Sequence, residues 1–139
     1  MTLLLAHTAA TCALAGLAWV VQVVVYPGFL VVGPTPGWPA AHALHSRRIT
    51  WVVTGPWAVQ GLTLAALLLQ HRQPLWLLGT ASVCALTTVA VTVAVSVPLH
   101  ARLAVWNEPA ARRLVRTTWW RTAAWTGSAG CALAMLALS

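Results

Sequence analysis

His42 and His45 stand three residues apart in the stretch WPAAHALHSRRIT, residues 38–50, with Arg47 and Arg48 close behind. The whole chain has 139 residues, of which eight are basic and one is acidic. Histidines at this spacing share one face of a helix on adjacent turns, so both imidazoles can reach one ion. With His100 they would make a three-histidine set suited to copper or zinc. The same rings could instead take the proton of an acidic C–H or O–H group, since imidazole ordinarily titrates near neutrality. Arginines at 112, 113 and 116 would suit an anion (phosphate, carboxylate, phenolate or enolate), and Arg48 with Arg116 would stabilise a substrate anion beside the histidines. Tyr26, Gln22, Gln60, Trp120 and Asn107 complete the set of expected substrate contacts. Gln22 and Gln60 belong there because a buried amide in mid-membrane needs a partner, whether a ligand or a neighbouring helix.

Each of these residues also has a plainer reading. Interfacial histidines can bond to loops or headgroups, and the arginines can be topology determinants solvated by lipid phosphates. Glu108 could act as a base, yet it directly precedes Pro109, where a helix start favours a carboxylate. Asn107 is equally a plausible N-cap, and Tyr26 an ordinary interfacial tyrosine. Haem held between histidines of two helices is a further alternative. A di-iron carboxylate site is disfavoured, since Glu108 is the only acidic residue in the chain. The chain contains no nucleophile triad, phosphate loop or dinucleotide fingerprint.

Composition defines the elements that must position these groups. Sixty per cent of the residues are hydrophobic and 6% charged, where a soluble domain has roughly a quarter charged. The reading is an all-α, integral membrane four-helix bundle with antiparallel up-down spans, a single domain over residues 1–139. The spans are expected at about 3–25, 48–70, 75–99 and 119–138, each near the ~20 residues that cross a bilayer. The first is read as a retained span, because it lacks a positive n-region and its apolar run outlasts an h-region. Cys12, Cys84 and Cys131 fall in separate spans and point to core packing, not to a disulfide framework. Tyr26-Pro27-Gly28 should end or bend the first helix. Pro39 should open the second, Pro56 and Pro98 should bend helices, and Asn107-Glu108-Pro109 should open the last.

All eight basic residues are arginine, and seven of them (Arg47, Arg48, Arg102, Arg112, Arg113, Arg116, Arg121) flank the same two loops. The positive-inside rule then puts loops 1–2 and 3–4 in the cytoplasm and both termini outside the cell membrane. The partners implied are the lipid bilayer and a lipophilic small molecule, with a homo-oligomer or larger membrane complex possible and nucleic acid excluded.

Four antiparallel spans would carry Tyr26, His42, His45, Arg48, His100, Asn107, Glu108, Arg112, Arg113 and Arg116 to one membrane face. His42, His45, Ile49, Val53, Pro56 and Gln60 form one stripe on helix 2. Cys84, Thr88, Thr92, Ser96 and His100 recur every four residues on helix 3, a seam suited to facing other helices. On helix 4 the face bearing Arg113, Arg116, Trp120 and Gly127 is expected to point inward. Arg121 is expected to project elsewhere and snorkel.

The stretches VPLHARLAVW, residues 97–106, and RTTWWRTAAWTGSA, residues 116–129, resemble the second half of the anthrone oxygenase-like membrane proteins. Those are small four-helix proteins with a V-P-L-N-x-x-L-type element and a W-x-x-x-N-x-x-R-T-type element. The resemblance covers about a third of the chain. It implies importance for Pro98, His100, Leu103, Trp120, Arg121 and Thr122, and oxygenation of an aromatic polyketide-like substrate without a bound cofactor. His100 stands where the family usually has asparagine, and the asparagine before the final arginine is absent, which leaves metal-assisted oxidation open. The resulting expectation is a membrane-embedded oxidoreductase or oxygenase acting on a lipophilic substrate at the histidine–arginine cluster. The alternatives are an accessory subunit or anionic-lipid binder, and a haem-carrying electron-transfer subunit.

Overall fold

Helices in this chain begin and end where proline, glycine and asparagine dictate. The computed structural model describes residues 1–139, and they form four helices: α1 Thr2–Val32, α2 Trp38–Gln70, α3 Leu75–Arg102 and α4 Glu108–Ala137. Pro39 sits in the first turn of α2 and Pro109 in that of α4, positions where the missing N–H costs nothing. Asn107 caps α4, its Oδ1 accepting the Ala110 N–H at 3.0 Å. His71 closes α2 in the left-handed conformation, φ 50°, ahead of Pro74.

Tyr26-Pro27-Gly28 does not end α1. The helix continues to Val32 because the turn before the proline, Val21–Val25, is wound as π-helix. The Tyr26 N–H reaches back five residues to the Val21 carbonyl, which loosens the turn where the Pro27 ring must fit. α3 repeats the device: Thr92–Ser96 is π-helical, the Val97 N–H bonds to the Thr92 carbonyl, and Pro98 follows.

Contacts pair Thr8 with Ala132 and Gln22 with Val115, so α1 and α4 run antiparallel. His7 meets Thr63 at one end of the α1–α2 pair and Phe29 meets Trp38 at the other. α4 lies between α1 and α3, burying a stripe of Ala111, Leu114, Thr118, Thr122, Trp125, Ala129 and Ala132. α2 packs on α1 and touches α3 only sparsely. The gap between α2 and α3 is where the site lies.

α1, α2 and α3 are each long and apolar enough to cross a membrane. Their outward faces carry large apolar side chains such as Val31, Trp51, Leu62, Leu69 and Leu86. α4 is not in that class, since its first four turns carry Arg112, Arg113, Arg116 and Arg121.

Candidate functional site

The inward stripe of α2 places His42 and His45 against α1 and the end of α3. Phe29 stands edge-on to both rings, with centroids 6.1 and 5.0 Å away. The His100 ring lies nearly parallel to both, at 5.4 Å and 25° from His42 and at 6.3 Å and 23° from His45. Trp38 continues the column, stacked on His42 at 5.1 Å and pinned by its indole N–H to the Leu103 carbonyl at 2.7 Å. Trp106 closes the end edge-on to Trp38, with centroids 5.0 Å apart.

Hydrogen bonds run along this column. His42 Nε2 lies 3.1 Å from His100 Nδ1, and His100 Nε2 lies 3.0 Å from the Tyr26 hydroxyl. Arg121 Nη2 donates to the same hydroxyl at 3.3 Å. Four helices thus meet through side chains: Tyr26 from α1, His42 from α2, His100 from α3 and Arg121 from α4.

Tyr26, His100 and Arg121 form one end of a cavity of about 280 Å³. Its body is apolar, walled by Leu14, Leu17, Val53, Trp57 and Trp125, with Thr50, Thr54 and Thr92 along the α2–α3 gap. Ser46 and Ser96 also line it, and their hydroxyl oxygens are buried without a partner, as is His45 Nε2. Buried polar atoms normally find partners, so unpaired ones beside a cavity mark where a ligand or water would bond. The pattern is that of a small-molecule site: an apolar chamber with a few convergent polar groups.

The structure brings Tyr26, His42, His45 and His100 together and leaves the other expected residues apart. Arg48, Arg113, Arg116, Trp120 and Asn107 are exposed. Arg113 shares a separate groove with Arg102 on the α3–α4 side. The inward and outward faces of α4 are the reverse of the expectation. Trp120 is 70% exposed, whereas Arg121, expected to snorkel, is the arginine that lines the cavity. The cause is phase: the buried stripe passes through Thr118, Thr122 and Trp125, which puts Arg121 at its edge and Arg113, Arg116 and Trp120 on the far side. Tracing the small and apolar residues of α4, in place of its charges, finds this face.

Gln22 and Gln60 are buried but outside the cavity. Gln22 Nε2 donates to the Val115 carbonyl at 3.0 Å and ties α1 to α4. Gln60 lies on α2 near the opposite end of the bundle, where Thr63 Oγ1 sits 2.9 Å from His7 Nδ1. Glu108 pairs with Arg112 on the surface at 2.7 Å.

The three histidines do not fit the copper or zinc site expected from their spacing. Both ring nitrogens of His100 are engaged, by Tyr26 and by His42, and the rings lie nearly parallel instead of converging on a point. No group of three His, Cys, Asp or Glu side chains is disposed to hold a metal ion. The direct His42–His100 hydrogen bond leaves no room for iron between those two nitrogens. The chemistry these groups can offer is proton transfer and anion stabilisation. Comparison with family models, curated proteins and solved structures finds no match.

Proposed function

We propose that the chain is a four-span membrane protein whose cavity takes a lipophilic small molecule with an acidic O–H or C–H group and removes that proton. In this reading the end of the bundle bearing Arg47, Arg48 and Arg102 faces the cytoplasm, and α4 crosses the bilayer shielded between α1 and α3. The observation that carries the proposal is the cavity's composition. An apolar chamber ends in one guanidinium, one phenol and one imidazole, with unpaired hydroxyls of Ser46 and Ser96 beside them. An acid placed there would find a proton acceptor in the Tyr26–His100 pair, and its anion would lie against Arg121. A fixed cation in a site of low dielectric stabilises charge as it develops, and needs no reorganisation to do so.

The resemblance to the anthrone oxygenase-like proteins supports the same reading. Its two motifs, Val97–Trp106 and Arg116–Ala129, supply His100 and Arg121, and these meet at one cavity although they are 21 positions apart in the sequence. What the resemblance implies next is reaction of dioxygen with the deprotonated aromatic substrate, an oxygenation needing no resident cofactor.

The test uses purified protein in lipid nanodiscs. Anthrone and 2-naphthol are titrated while tryptophan emission reports binding near Trp57 and Trp125, and oxygen uptake is followed with anthrone. Saturable binding that Arg121→Met weakens, with oxygen uptake lost alongside, is the expected result. Binding without oxygen uptake in the wild type would favour a carrier over an oxygenase. Equal binding by Arg121→Met and wild type would refute the site.

A further inference from the structure

We infer that His42 is the proton port of this cavity, and that Tyr26, His100 and His42 form a one-way-polarised relay between the cavity and the water at the loop-bearing end of the bundle. The inference rests on the cavity reading above and adds the route by which the proton leaves.

Donor accounting sets the polarity. A guanidinium has no acceptor, so Arg121 donates and the Tyr26 oxygen accepts. The Tyr26 proton then has one remaining partner, His100 Nε2 at 3.0 Å. A neutral imidazole that accepts at Nε2 carries its proton on Nδ1. His100 Nδ1 faces His42 Nε2 at 3.1 Å, so it donates there and His42 in turn carries its proton on Nδ1. The opposite arrangement, with His100 Nε2–H donating to Tyr26, leaves the phenol proton without an acceptor. One charged residue at the cavity end thus orients every proton in the column.

The column ends at His42, a buried residue that keeps a sliver of accessible surface. His42 is not part of the cavity wall, and about 6% of it remains exposed. Its Nδ1 is not among the buried polar atoms left without a partner. It lies on the second turn of α2, under Trp38 and beside the loop.

The transfer balances. The ligand's proton passes to the Tyr26 oxygen as the phenol proton moves to His100 Nε2. The His100 Nδ1 proton moves to His42 Nε2, and the His42 Nδ1 proton passes to water. The ligand has lost one proton and water has gained one. Tyr26 is again a phenol, and both histidines are neutral with their tautomers exchanged. The only new charge in the cavity is the ligand anion beside Arg121. Returning protons along the same path restores the start.

Two measurements test this. In bilayers containing protein labelled with ¹⁵N-histidine, His100 and His42 should both show Nδ1–H tautomers. A proton found on His100 Nε2 in the resting protein overturns the relay without reference to any ligand. The second uses 2-naphthol, whose anion emits at longer wavelength than the neutral form. His42→Phe preserves a flat ring between Trp38 and His100 but removes the acceptor. Binding should be unchanged while the rate of naphtholate formation falls by about a hundredfold, in the range typical for loss of a positioned acid–base group. An unchanged rate in His42→Phe overturns the relay and leaves the cavity reading standing. Failure of the wild type to bind 2-naphthol overturns both.

Discussion

Gly33 gives the sharpest structural test, because its surroundings allow a magnitude to be worked out. It closes α1 with helical backbone, φ −56° and ψ −42°, so alanine is conformationally welcome there. Space is the obstacle. A Cβ at Gly33 would fall within the Trp106 ring, against Cζ3, Cε3 and Cη2. The indole must therefore leave its seat and give up its edge-on packing with Trp38, worth about 0.5–1.5 kcal/mol. Overpacking of a filled site costs about 1–3 kcal/mol, and the helical preference for alanine over glycine returns up to about 1 kcal/mol. Gly33→Ala should thus destabilise the protein by about 0.5–4.5 kcal/mol, read as the midpoint shift of unfolding in mixed micelles. In a Trp106→Ala background the obstacle is gone, and the same substitution should stabilise by about 0.5–1 kcal/mol. The sign reversal is the signature, since neighbours in contact are non-additive. A neutral Gly33→Ala in both backgrounds would mean that Trp106 does not seal the end of the histidine column and does not hold Trp38 over His42.

Arg121→Met should weaken binding of 2-naphthol at a pH where the bound form is the anion by about 10-fold or more, the worth of a hydrogen bond to a charged group. Arg116→Met, on the exposed face, should leave it unchanged in the same titration. Asn107→Ala should cost about 1 kcal/mol through loss of the α4 cap, whereas Glu108→Gln should cost under about 0.5 kcal/mol because its pair with Arg112 is exposed. Both are checked by unfolding midpoints. Thr63→Val removes the partner of His7 Nδ1 and should cost about 0.6 kcal/mol, the average worth of a hydrogen bond between helices in a membrane. It should do so without changing ligand affinity, since the cavity lies elsewhere.

Much of this arrangement was legible in the residues. The helix 2 stripe from His42 through Ile49 and Val53 to Gln60 faces inward, as its period requires. Asn107 and Glu108 are a cap and a first-turn residue, the plainer of their two readings. Arg121 was misplaced because charge in an apolar chain attracts functional suspicion wherever it is densest. Four arginines on one helix cannot all face inward, and the stripe of Leu114, Thr118, Thr122 and Trp125 decides which of them does. The near-parallel setting of the three imidazoles was not legible either. HxxH spacing fixes which helix face the rings share, but not whether the rings converge on an ion or lie parallel; their packing against Phe29 and Trp38 decides that.

The four-residue seam of α3 holds the deeper lesson. In unbroken α-helix, the 16 steps from Cys84 to His100 accumulate about 160° of drift, enough to turn His100 away from the face on which Thr88 is buried. The π-helical turn at Thr92–Ser96 absorbs one residue, so those steps count as about 15 and the drift falls to about 60°. The turn lets Thr88 and Ser96 stay buried and His100 reach both Tyr26 and His42. α1 uses the same insertion just before Tyr26. Each π turn sits directly ahead of a proline that has no N–H to offer an ordinary α turn, so the proline that looks like a helix breaker is what makes room for the altered register. Both cavity residues at the polar end of α1 and α3 therefore depend on a backbone irregularity two residues or fewer from a proline. A strict four-residue polar repeat running into X-Pro in an apolar helix is the pattern that marks it.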